Sequence, residues 1–236
     1  MCAVMPKGKT SSPTARAKEA VAWLKARGSA KIRDEALTRY GITASKSFGI
    51  RMGVIQGLGK KLGRDHDLAL ALWDQEWYEA RLLTAYVDDP ALVTPAQMDR
   101  WAKDFDNWGI CDTLCFALWD KTPHAWAKVK KWRDAKPEFV RRSSYALIAS
   151  LGVHDKKAPD APFLESLPWM EKAATDERNF VKKGVSWALR VVGRRNAVLN
   201  KTATRAAERM AASDSPSAIW IGKDALREFQ KVKVRK

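Results

Sequence analysis

The sequence predicts an all-α protein of about a dozen helices. Three observations carry that reading. Apolar residues recur at three- and four-residue spacing along most of the chain, capping hydroxyls and prolines mark successive helix starts, and no alternating strand run or Asn-Gly or Asp-Gly turn interrupts the pattern.

Residues 1–13 are polar, small and basic and read as a flexible N-terminal arm; residues 14–236 read as one helical domain. Ser12 or Thr14 caps a helix running through Trp23 that Gly28 ends, and Ser29 caps a second that ends at Tyr40-Gly41. Ser47 to Leu62, Asp65 to Gln75 and Glu76 to Val87 follow as amphipathic helices. Thr94-Pro95 and Thr122-Pro123 each place a capping hydroxyl before a proline at the first helical position, opening helices to about Phe105 and Arg133. Between them lies a helix holding Trp108 and Asp112. Pro137 to Leu151, Pro162 to Ala174, Glu177 to Gly193, Ala197 to Ala212 and Ser217 to Val232 complete the set.

Short links between helices make neighbours antiparallel. A series of such hairpins stacks as an α-α superhelix, a solenoid of the HEAT-like kind with about 40 residues per repeat. Weak self-similarity leaves a compact irregular bundle as the alternative.

Composition narrows the function. The 236 residues hold 43 basic and 27 acidic side chains, a net charge of +16, so an anionic partner is expected, with nucleic acid ahead of an acidic membrane surface. Eleven tryptophans against four tyrosines and seven phenylalanines is an unusual bias; some of these indoles are expected in the core, and indoles also stack on bases and on cations. Three cysteines without framework spacing argue against a disulfide scaffold. Neither a signal-type apolar segment nor a membrane-length apolar run is present, so a reducing, cytoplasmic setting is expected.

Several patterns lead away from other chemistries. Cys111 and Cys115 share a helical face, but a metal site needs more ligands. His66, His124 and His154 have no ligand spacing, so neither metal nor cofactor is expected. The run Gly57-Leu58-Gly59-Lys60-Lys61-Leu62-Gly63 lacks the frame and the preceding strand of a phosphate loop, and Gly53 and Gly57 are expected to allow close helix contact.

Trp108 and Asp112, in Asn107-Trp108-Gly109-Ile110-Cys111-Asp112, are four residues apart, which stacks an indole beside a carboxylate on a helix. A carboxylate on a polyanion-binding protein weakens binding, so chemistry on something the polyanion carries is the better account. Two further segments matter: Phe139-Val140-Arg141-Arg142-Ser143-Ser144-Tyr145-Ala146, and the helix Phe180-Val181-Lys182-Lys183-Gly184-Val185-Ser186-Trp187-Ala188-Leu189-Arg190. Basic clusters lie at Lys128, Lys130, Lys131 and Arg133, at Lys182, Lys183, Arg190, Arg194 and Arg195, and at Lys231, Lys233, Arg235 and Lys236. With this net charge the first two read as a phosphate-tracking groove, and the tail as a charged terminus.

Taken together, the three segments resemble the AlkD-like DNA alkylation repair glycosylases, a family of HEAT-like α-solenoids, over roughly Tyr40 to Asn196. The resemblance implies hydrolysis of the N-glycosidic bond of cationic N3- or N7-alkylated purines in duplex DNA, by a monomer without a cofactor. It implies that Asp112 is the catalytic carboxylate, that Trp108 and Trp187 face the damaged nucleotide, and that Arg142 contacts the DNA backbone. Arg141, Lys182, Lys183, Arg190 and Tyr40 are further candidate DNA contacts. Gly109 departs from relatives, which often carry a polar residue there. Two other readings of the same scaffold stay open: a non-catalytic binder of damaged or distorted DNA, and a helical-repeat adaptor for a protein or RNA partner.

Overall fold

Side-chain caps set many of the helix starts. The computed structural model describes residues 11–231, and every regular element among them is helical: thirteen α-helices and one 3-10 turn. Among the described residues no helix is long and apolar enough to cross a membrane. The expected arm lies outside the described residues as far as position 10. The chain forms two compact units, residues 1–122 and 123–236.

In the first unit, Ser12 caps α1 (Pro13–Lys25) and Ser29 caps α2 (Ala30–Tyr40), which Gly41 ends in the left-handed region at φ 62°. There follow α3 (Met52–Leu62), α4 (His66–Trp73), α5 (Tyr78–Val87), α6 (Pro95–Lys103) and α7 (Trp108–Ala117), then the 3-10 turn Trp119–Lys121. Thr94 and Gln97 form a reciprocal capping box at the start of α6. The core gathers Leu24, Leu68, Leu72 and Leu83 with three fully buried indoles, Trp73, Trp101 and Trp119. Trp73 stacks on Trp101 with centroids 4.4 Å apart and donates its N–H to the Asp104 carboxylate at 2.9 Å. Much of the tryptophan excess is therefore core.

Three local expectations are corrected. The helix expected from Ser47 starts at Met52, because the Phe48 and Gly49 amides and the Ser47 hydroxyl all donate to the buried Glu79 carboxylate of α5. Bonds to another element have replaced the bonds a helix there would make. Thr122 does not cap: its hydroxyl donates to the Trp119 carbonyl at 2.8 Å, and the next helix starts at Ala125. Gly53 and Gly57 face open space; the close approach is at Gly59, where a β-carbon would stand 2.5 Å from Tyr86 Cβ.

The second unit comprises α8 (Ala125–Trp132), α9 (Glu138–His154), α10 (Ala161–Ala173), α11 (Asn179–Gly193), α12 (Ala197–Ala211) and α13 (Pro216–Phe229). Within it α11 packs between α9 and α13, with α10 and α12 behind. Four polar rungs in this unit share a chain offset of 38: Lys172 to Asp134, Arg209 to Glu171, Ser186 to Asp224, and Arg190 to Glu228. Residues one repeat apart thus face each other, the structural form of the repeat that the sequence carries only weakly.

Candidate nucleic-acid interface

Asn107 fixes the start of α7. It is buried, and its side-chain oxygen accepts from the Ile110 amide at 3.1 Å. The helix buries Gly109, Ile110, Cys111, Leu114 and Cys115. That pattern leaves Trp108, Asp112 and Phe116, at four-residue spacing, as a stripe off the buried face. Trp108 and Asp112 are half-buried, and Phe116 is exposed. The Trp108 N–H donates to the Tyr40 carbonyl at 2.9 Å, which fixes the edge of the ring. Tyr40 is itself exposed, with the Arg39 guanidinium over its ring.

Gly109 has a packing reason. A β-carbon there would lie 2.5 Å from the Tyr78 hydroxyl and 3.1 Å from the Asn107 side-chain oxygen. Burial pushes the Tyr78 phenol above its ordinary range, and the charges of Glu79 and Asp106 push it the same way. A neutral phenol is thus set against the first turn of α7, at a position where glycine leaves it room.

The second unit carries the remaining candidates, and among these the arginines bond to acidic or carbonyl partners within the protein. Arg141 donates to Asp176 at 2.8 Å. Asp176 also accepts from Arg178, whose hydrogen bonds hold its carboxyl below the usual range despite burial. Arg142 is buried; its Nη1 donates to the Phe180 carbonyl at 2.6 Å and ties α9 to α11. Arg190 meets Glu228 at 2.7 Å and Asp224 at 3.3 Å. Arg194 shares Glu228, and Arg195 donates to the carbonyls of Gly152, Asp155 and Ala158. Lys182 lies over the Trp220 ring, and Lys183 is exposed with no acidic partner among the described residues. Trp187 is half-buried on the same helix.

The cluster around α8 is mostly structural. Lys128 is buried beside Trp132, Lys130 pairs with Glu165, and Arg133 lies over Trp169. Of the C-terminal cluster, Lys231 is exposed, while Lys233, Arg235 and Lys236 lie outside the described residues. Among the described residues no group of three His, Cys, Asp or Glu side chains could hold a metal ion. Cys111 and Cys115 are buried.

Sequence reasoning missed Tyr78 and Trp220. Nothing local marks Tyr78, since its partner Gly109 lies on another helix. Trp220 carried a signal in Trp220-Ile221-Gly222-Lys223, where an indole and a lysine lie on one side of an amphipathic helix.

Helical hairpins bearing exposed lysines and half-buried indoles define a basic helical-repeat protein. The chain belongs to the DNA alkylation repair enzyme family, whose model matches residues 21–219. Its fold is similar to a solved structure described as a new family of proteins related to the HEAT-like repeat DNA glycosylases, with affinity for branched DNA structures. That match has a TM-score of 0.74 at 18% identity and covers 93% of this chain and 97% of the other. The fold is therefore HEAT-like. No curated protein gives a significant sequence match.

Proposed function

We propose that this chain is a DNA glycosylase that releases N3- and N7-alkylated purines from duplex DNA, acting as a monomer without a cofactor. Family membership and the net charge of +16 support a DNA substrate. The observation that carries the chemistry is the α7 stripe, with Asp112 one turn beyond an indole whose edge is fixed by Tyr40.

A purine alkylated at N3 or N7 is cationic and leaves readily. The bond between the sugar C1′ and the base nitrogen breaks, its electron pair leaves with the now neutral base, and positive charge passes to the sugar. Water then adds at C1′ and loses a proton, giving an abasic site. No acid is needed for the leaving group, unlike ordinary glycoside hydrolysis with its two carboxylates. One carboxylate suffices to stabilise the oxocarbenium-like sugar or to orient the water. At about 4 Å and an effective dielectric near 20 such a pair is worth ~4 kcal/mol, of which only the part that grows in the transition state accelerates the reaction. The electron-rich indole face at Trp108 favours a cationic base or sugar over a neutral one. Lys182 and Lys183 supply phosphate contacts.

The test is incubation with methylated duplex DNA and chromatography of the released bases. The wild type should release methylpurines, and Asp112→Asn should release none while binding DNA as well or better. Release at the normal rate by that variant overturns the role of Asp112. A second reading, a non-catalytic binder of distorted DNA, draws on the branched-DNA affinity described for the similar structure. It predicts tight DNA binding by the wild type with no base released.

A further inference from the structure

We infer that Trp220 is a stacking platform for one unpaired DNA base, with Lys182, Lys223 and Arg227 contacting the phosphates on either side. This deepens the DNA-binding reading and rests on it.

The last described helix, α13, packs through small residues. It buries Ser217, Ala218, Ile221, Gly222 and Ala225, and Gly222 sits so close to α12 that a β-carbon would stand 2.4 Å from the Ala207 carbonyl oxygen. Its register is fixed by Asp224, which accepts from Ser186 at 2.7 Å and pairs with Arg190. Trp220 lies off that buried face and is 39% exposed. A partly exposed indole forgoes some of the burial that stabilises the other large rings.

The groups around this ring are mostly cationic. Lys182 Nζ lies 5.3 Å from the ring centroid. Lys223, one turn along, is exposed and has no acidic partner among the described residues. Arg227 is exposed too, at 3.5 Å from Asp224. Trp220, Lys223, Leu226, Arg227 and Gln230 line an open depression. An aromatic face among cations matches a base between phosphates, the pairing used by proteins that hold single strands. A base inside a duplex is stacked on both sides and offers no free face, so the occupant is an unpaired nucleotide.

The experiment compares a blunt duplex with the same duplex bearing a single-stranded flap, at one salt concentration, by fluorescence anisotropy. Trp220→Ala should lose roughly five- to a hundredfold in affinity for the flapped DNA, the range expected for one base–aromatic stack. Its blunt-duplex affinity and its melting temperature should not change. Trp220→Phe should keep most of the flap affinity, and Lys223→Ala should weaken flap binding with a shallower salt dependence. Flap DNA should also quench wild-type tryptophan emission more than that of Trp220→Phe. An equal loss on both DNAs, or no loss on either, overturns the platform while leaving DNA binding intact. If the wild type binds neither DNA, the DNA reading falls as well. Stronger displacement of a flap oligonucleotide by an acidic peptide than by unlabelled flap DNA also overturns it.

Discussion

The indole N–H of Trp108 donates to the main-chain carbonyl of Tyr40, 2.9 Å away and 68 residues earlier in the chain. Tyr40 is the last residue of α2, where carbonyls have no partner within the helix. One bond therefore satisfies a helix end and orients the ring of a candidate lesion contact. Trp108→Phe keeps an aromatic face and removes the donor. We expect a stability loss of about 1 kcal/mol by urea unfolding, the usual net worth of one hydrogen bond. Selectivity for methylated over intact DNA should fall as the ring loses its fixed edge. Unchanged stability together with unchanged selectivity would show that the bond positions nothing.

Gly109 and Tyr78 should be energetically coupled. Alanine at 109 gains about 1 kcal/mol of helix propensity but must displace the Tyr78 hydroxyl, 2.5 Å from its β-carbon. Tyr78→Phe removes that oxygen. Gly109→Ala should therefore be less costly, or more stabilising, by about 1 kcal/mol in the Tyr78→Phe background than in the wild type. A double-mutant cycle by denaturant unfolding reads the difference directly, and additivity within ~0.3 kcal/mol would refute the contact.

Asp176 joins Arg141 of α9 to Arg178 at the start of α11. Its carboxyl is held below the ordinary value in the folded protein. Its contribution is thus complete above the unfolded value of roughly 3.9 and is lost as pH falls through the lower folded value. Asp176→Asn should cost on the order of 2 kcal/mol at neutral pH, since charge-assisted hydrogen bonds are lost. The gap between wild type and variant should narrow in acid, below about pH 4. A gap that stays constant down to pH 2 would contradict this.

Lys183 and Arg190 both count as candidate phosphate contacts, yet their surroundings differ. Lys183→Ala should lower the slope of log affinity against log salt by about 1 and leave stability unchanged. Arg190→Ala loses two acidic partners, Asp224 and Glu228, and should destabilise by about 1 kcal/mol. Its effect on the salt slope should be the smaller of the two. A reversed order in salt titrations would mean that Arg190 leaves those acids when DNA binds.

What could be read from the chain was what is local. Trp108 and Asp112 share one turn of one helix, so spacing alone places them together. Caps at Ser29, Thr94 and Asn196 likewise act within three residues of themselves. The misplaced start at Ser47 has a distant cause, the Glu79 carboxylate that draws in the neighbouring amides. The arginines show the same limit. Arg141, Arg142 and Arg190 look like phosphate readers in sequence, but their partners lie 35 or 38 positions further on. Exposure of Trp220 was equally hidden, because it depends on how small the packing face of α13 is.

The offset of 38 shared by four rungs bears on how the second unit tolerates change in length. Adding one residue in the middle of α11 would swing everything beyond it by about 100°. Trp187 and Arg190 would turn away from their present neighbours, and the rung from Arg190 to Glu228 would break. An added or deleted block of one whole period restores the original phase, so natural length variants of this half should differ by complete helical hairpins or by changes confined to the links.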